Sequence, residues 1–363
     1  MSLLALALAA HASLVGAQLP RAPSDVWRVR WARAQIAPDI LDWKPREPGG
    51  PAVDALTGVV LAGTRDGVLR ARTPDGRALW DFQAQAGFPA APLVTNGTVY
   101  AGSSDGNVYA LELGTGKQRW KYSAGEEVGT TPVLVGGILY VATLQDTLVA
   151  LDAGTGAWKW HHRREGTSST SFTIRGAAGP AVEGGVVFGA FSDGTVVALE
   201  GATGAVKWQR KVGPEGQFLD VDSTPVVRDG RVYVAAYSGA VVALEAASGR
   251  EVWSFRTPLA ARVALVGDSV IAVTTTQVIG LSRAEGQVLW TTPLVGEPAG
   301  NPVVLGDRVL VPSVRMLAAF DAKNGKRLLT FDPGTGVSGT PAVRERRVYV
   351  LSNGGTLVAV DVR

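Results

Sequence analysis

A glycine followed four residues later by a tryptophan recurs six times along this chain. The copies are Gly76–Trp80, Gly116–Trp120, Gly156–Trp160, Gly204–Trp208, Gly249–Trp253 and Gly286–Trp290, and a seventh carries Leu329 after Gly325. Successive copies stand 40, 40, 48, 45, 37 and 39 residues apart. A period near 40 residues is one supersecondary unit, too small to bury its own apolar faces, which must therefore stack on copies of itself.

Within a unit the pattern has period 2. The second copy divides into "AAPLV", "TVYAGSS", "NVYALEL" and "KQRWKY", separated by "TNG", "SDG" and "GTG". Alternating apolar residues broken by Asx-Gly turns read as antiparallel strands, with glycine supplying the positive φ of tight hairpins. Four such strands per unit make one propeller blade. The repeat tryptophans Trp80, Trp120, Trp160, Trp208, Trp253 and Trp290 are assigned to the core, wedged between neighbouring blades. Truncating a buried aromatic of this kind costs roughly 3–5 kcal/mol.

After the seventh unit, "GTPAVRERRVYVLSNGGTLVAVDVR" (339–363) supplies three strands and no fourth. The missing strand is available near the other end as "DVWRVRWAR" (25–33), with Trp27 in the tryptophan place. The expected fold is therefore all-β: an eight-bladed β-propeller of four-stranded antiparallel blades, with the ring closed by the N-terminal strand. Closure leaves no open sheet edge between the last blade and the first. Residues 18–363 form a single domain in this reading.

Composition excludes several function classes. With 45 glycines, 46% hydrophobic and 18% charged residues, the chain is turn-rich and apolar, which separates it from disordered sequences. A net charge of +3 over 363 residues gives no basis for a nucleic-acid partner. Its few basic pairs, such as Arg163-Arg164 and Arg346-Arg347, are placed on solvated turns. The absence of cysteine removes disulfides, thiolate metal sites and cysteine nucleophiles. The three histidines are His11, His161 and His162, and adjacent residues on a strand point to opposite faces, so His161 and His162 form no ligand pair. "GTSSTS" (166–171) and "GVSGT" (336–340) lack a histidine and a strand-to-helix setting for an activated serine.

The segment "SLLALALAA" (2–10) is an apolar core of signal-peptide length, too short to span a bilayer. "VGA" before Gln18 suits cleavage, so residues 1–17 read as a signal peptide, with "AHA" (10–12) as the alternative candidate for the cleavage site. No basic n-region precedes the apolar core, which places the expected translation start upstream.

The two longest spacings interrupt the repeat. One contains "RREGTSSTSFTIRGAAGPAVEGG" (163–185) and the next "GPEGQFLDVDSTPVV" (213–227). Phe172 and Ile174 share one face of an extended segment, as do Asp220 and Asp222, while Arg175 turns the other way. These groups either pair with one another across adjacent blade rims or present a mixed-charge patch with apolar anchors to a partner.

The unit "G-x-V/L-x-A-L-D/E-x-x-T/S-G-x-x-x-W" resembles the repeats of pyrroloquinoline quinone (PQQ) enzymes and those of the BamB family of outer-membrane assembly factors. "FTIRGAAGP" and "DVDSTPVV" are similar to two loops that the BamB family carries at these same joints and uses to hold periplasmic domains of BamA. The resemblance implies a non-catalytic periplasmic scaffold with no cofactor and no metal. It also implies a partner surface of Phe172, Ile174, Arg175, Asp220 and Asp222 for a BamA-type insertase, with unfolded outer-membrane proteins as further clients. The family's lipid-bearing cysteine has no counterpart, since Gln18 stands in that place. The alternatives are a PQQ-binding sensor or quinoprotein, and a general cell-envelope binding scaffold.

Overall fold

The computed structural model describes residues 27–37, 46–164, 178–213, 221 and 223–362. These residues form eight four-stranded antiparallel sheets and no helix. Seven blades are consecutive meanders spanning 51–83, 93–123, 133–163, 181–211, 226–256, 260–293 and 303–331. Blade 8 joins Ala342–Arg344, Arg347–Leu351 and Thr356–Val362 to Trp27–Ala34, which pairs antiparallel with Thr356–Val362. First strands of neighbouring blades touch, as in blades 4 and 5 and in blades 8 and 1, which sets the blades around a common axis.

The core is divided by the repeat. Eight apolar clusters occupy the eight junctions, each drawing on two adjacent blades. Second and third strands such as Thr98–Gly102 and Asn107–Glu112 are buried almost throughout, because blades cover them on both faces. Fourth strands such as Gln118–Ser123 alternate, with Trp120 buried and its neighbours exposed.

One latch recurs at seven junctions. The indole N–H of each latch tryptophan donates to a backbone carbonyl in the next blade's last turn, and the lengths run from 2.7 to 3.1 Å. The pairs are Trp31–Pro74, Trp80–Leu113, Trp120–Ala153, Trp160–Gly201, Trp208–Ala246, Trp253–Arg283 and Trp290–Ala322. The indole also lies flat on the glycine of that turn. At Gly116, φ is +72° and a Cβ would come within 2.6 Å of Trp80, so both conformation and space demand glycine.

A second requirement lies across the ladder. Each latch tryptophan faces Ala or Gly on the third strand, for example Ala110↔Trp120 and Gly280↔Trp290, and a bulge precedes it. A Cβ on Gly280 would meet the Trp290 ring at 2.3 Å.

This rule corrects the expectation for blade 8. Trp31, not Trp27, holds the latch place. It faces Ala359, follows a bulge at Arg30, and packs on Gly76 of blade 1. Trp27 faces Val362 and stacks on Phe331 of blade 7 at 6.0 Å, and its indole N–H has no acceptor among the described residues. It belongs to the blade 7–8 cluster, against which Leu329 packs. Leu329 stands where blade 7 lacks a tryptophan. Blade 8 offers it nothing to latch onto, because its third and fourth strands come from opposite ends of the chain and no turn joins them.

Candidate functional site

Meander geometry decides which segments share a face. First-to-second and third-to-fourth turns lie at one end of the ring. Second-to-third turns lie at the other, together with the connectors that lead to the next blade. Both lengthened segments fall between the last strand of one blade and the first strand of the next, and their described return ends, at Gly179, Pro180 and Thr224, line the mouth of the axial channel.

The short connectors define a hydrogen-bonded belt. An apolar residue four before the strand-opening proline is buried and donates its N–H to a turn carbonyl of the blade just left. Examples are Phe88 to Thr64, Val128 to Ser103 and Val337 to Ser313, at 3.0 to 3.2 Å. The following blade's turn donates back, as in Ser104 to Gly87 and Leu144 to Glu127, both 2.9 Å. In the "DVDSTPVV" segment Val221 takes this belt position: it is buried and donates to Phe191 O at 3.3 Å.

Phe172, Ile174, Arg175, Asp220 and Asp222 lie outside the described residues. What is described is the frame on which their segments stand. The first long connector leaves blade 3 at Arg164 and re-enters at Ala178, and the second leaves blade 4 at Gly213. Their return ends are tied together, because Gly179 N–H donates to Thr224 Oγ1 at 2.9 Å. Beside them Ala235 N–H donates to Ser223 Oγ at 2.9 Å. The bases of the two insertions are therefore one structural unit.

Arg164 corrects the reading of the basic pairs as solvated. Its side chain is largely buried, 3.1 Å from Asp146 and 3.7 Å from Asp193 of blade 4. The Nε–Asp146 contact is ionic and not aligned as a hydrogen bond. Ser192 N–H in turn donates to Asp146 at 3.2 Å. This cluster clamps the departure point of the first long connector across the blade 3–4 junction. Its neighbour Arg163 pairs with Glu126 at 2.8 Å and stays half exposed. Sequence reasoning missed Arg164 because its two acids come from turns 18 and 29 residues away. His161 and His162 have different neighbours: His161 lies against Trp158, and His162 stacks on Phe191 at 5.9 Å.

The axial mouth encloses a cavity of about 640 Å³, with Arg46, Thr130, Thr131, Arg262, Glu297 and Asn301 among its lining. Arg262 donates to Ala261 O at 2.8 Å and Ala299 O at 3.4 Å. Among the described residues no group of three or more His, Cys, Asp or Glu side chains is placed to hold a metal.

Glu47 is an exception within the belt. It stands four residues before Pro51, at the position held elsewhere by Phe88, Val128, Val221 and Val337, and is equally buried. Its carboxylate accepts from Arg65 N–H at 3.0 Å and lies 3.4 Å from Arg65 Nε, while its own N–H donates to Asn353 Oδ1 at 3.4 Å. It thus bridges blades 8 and 1 at the closure. Burial pushes its pKa up to about 7, against the opposing pull of Arg65.

Eight blades, joined at seven of their eight junctions by tryptophan latches and two of them followed by lengthened connectors, define a PQQ-like repeat propeller. A family model described as outer membrane protein assembly factor BamB matches residues 12–118, 65–292 and 239–363, and the chain belongs to that family. Among solved structures, BamB from Moraxella catarrhalis superposes with a TM-score of 0.78 at 23% identity, covering 93% of this chain and 100% of that one. A quinohemoprotein alcohol dehydrogenase from Comamonas testosteroni gives 0.74 at 14% identity, covering 93% and 76%. A computationally designed protein, Ika8, gives 0.71 at 16%, covering 88% and 97%. At these identities the structural likenesses define the fold alone. No curated protein sequence matches the chain significantly.

Proposed function

We propose that this protein is a non-catalytic periplasmic scaffold in outer-membrane β-barrel assembly, docking by its connector face onto the periplasmic domains of a BamA-type insertase. The observation that carries the reading is the shared base of the two long connectors. The Gly179–Thr224 bond, the Val221 belt contact and the Arg164 clamp give two insertions one rigid frame. Rigid frames that present irregular loops are a common construction for recognition. Phe172, Ile174, Arg175, Asp220 and Asp222 are the residues assigned to contact the partner, with arginine and apolar anchors forming the hot spot.

No catalytic step is assigned. Glu297 is the one carboxylate among the described lining of the axial mouth, a poor donor set for the Ca²⁺ that quinone chemistry would call for. Export by a cleaved segment 1–17 accounts for the periplasmic location. Among the described residues no helix is long and apolar enough to cross a membrane. The exposed fourth-strand edges supply a route for holding unfolded clients by β-augmentation.

The test is binding of the mature protein to the periplasmic domains of the organism's own insertase. Wild type binds, and Arg175→Glu binds at least about tenfold more weakly, as expected when one partner of a desolvated charge pair is reversed. Absence of binding by wild type overturns the reading.

A further inference from the structure

Blade 8 carries a second feature, on the face opposite the connectors. In other blades the last acid of the third strand caps the turn that follows it: Thr115 Oγ1 donates to Glu112 at 2.7 Å, and Thr155 Oγ1 to Asp152 at 2.9 Å. The same repeat position in blade 8 is Asp361, and no turn joins its strand to the blade's fourth, Trp27–Ala34. Arginines surround it instead. The ladder register puts Arg28 opposite Asp361, Asp361 opposite Arg347, and Arg347 opposite Arg344. One row across all four strands therefore reads Arg–Asp–Arg–Arg on a single sheet face.

The charges do not balance. Asp361 is shared between Arg347 at 2.7 Å and Arg30 at 3.3 Å. Glu345 approaches Arg344 only to 3.9 Å and is largely exposed. Arg346 donates to Val362 O at 3.3 Å, and Arg28 forms no ion pair among the described residues. Five arginines thus face two carboxylates. A third acid at the margin, Asp75, is paired with Arg77 at 2.8 Å.

This surface is concave. Two clefts of about 460 and 360 Å³ adjoin and share Arg347. The larger runs under Arg344, Arg346 and Tyr349, and the smaller under Arg28, Arg30 and Pro74. With strands about 4.8 Å apart, Arg28 and Arg347 stand roughly 10 Å from each other across Asp361. That span suits guanidinium forks closing on a phosphoryl group from two sides.

We propose that the paired clefts of blade 8 bind the phosphate of an anionic lipid headgroup, so that the propeller can hold a membrane surface on one face and its protein partner on the other. The lipid source rests on the envelope reading above, whereas the phosphate chemistry rests on the arginine row alone. The test is cosedimentation of the mature protein with phosphatidylcholine vesicles containing or lacking phosphatidylglycerol. Inorganic phosphate is titrated separately, using wild type, Arg28→Gln/Arg346→Gln and Arg175→Glu. The proposal expects binding to the anionic vesicles, weakened about tenfold or more in the double variant with an unchanged melt. It expects Arg175→Glu to bind vesicles like wild type, which separates this site from the connector face. Saturable binding of inorganic phosphate without vesicle binding overturns the lipid source and keeps the phosphate site. Binding of neither, or a double variant equal to wild type, overturns the proposal.

Discussion

Seven junctions of this ring are built alike and one is not. Where a blade's third and fourth strands are joined by a turn, the preceding blade's indole lies on its glycine and donates to its carbonyl. At the blade 7–8 junction the turn is missing, the latch residue is Leu329, and Trp27 fills the apolar space from the opposite blade by stacking on Phe331. The difference teaches that the tryptophan and the turn are one device. When topology removes the acceptor, the donor is absent as well, and the turn-capping acid is left to arginines. The ring is therefore both closed and chemically distinctive at the same blade.

The largest way to break this comparison is to remove the strand that makes blade 8 special. Deleting Trp27–Ala34 exposes the edge of Thr356–Val362 and strips two buried tryptophans from two junctions. A sharp fall in melting temperature is expected in calorimetry, and an unchanged melt would falsify closure by this strand.

A finer cut separates the two kinds of junction. Trp31→Ala removes a latch and costs roughly 3–5 kcal/mol in denaturant unfolding. Leu329→Trp, which restores the repeat residue where no turn exists to receive it, gives no stabilisation. A gain comparable to the latch would show that the tryptophan acts without its turn.

Smaller still is the effect at the other side of blade 8, where Glu47 replaces an apolar belt residue. Its folded pKa of about 7 lies above the ordinary value of 4.5, so the native state binds more protons than the unfolded chain between those values. The stabilising contribution is complete below about 4.5 and is lost as pH rises through 7. By the usual conversion this amounts to roughly 3 kcal/mol. Glu47→Gln should flatten the stability profile across that window; a profile as steep as wild type would remove Glu47 as its cause.

Much of this architecture was legible in the residues. The Gly-x₃-Trp spacing, the period-2 strands and the three-strand remainder at 339–363 point to eight blades with a strand donated from the N-terminal side, because each is a local pattern. What was not legible depends on pairing between distant segments. Trp27 and Trp31 both suit an outer strand, and only the register that sets Ala359 against Trp31 distinguishes them. Arg164 reads as one of a solvated pair until folding brings Asp146 and Asp193 to it. Glu47 looks like a loop acid until the connectors are aligned on their prolines. As for the candidate site, the insertions stand out by length alone, whereas the Gly179–Thr224 tie that joins their bases links residues 45 positions apart.

The central claim is that the connector face is the one that meets the insertase. Photo-crosslinking tests it most directly. One variant carries the crosslinker at Thr131, exposed at the axial mouth, and another at Thr115, exposed on a turn of the opposite face. Each is mixed with the insertase's periplasmic domains. The account predicts adducts from position 131 and none above background from 115; equal or greater yield from 115 would contradict it.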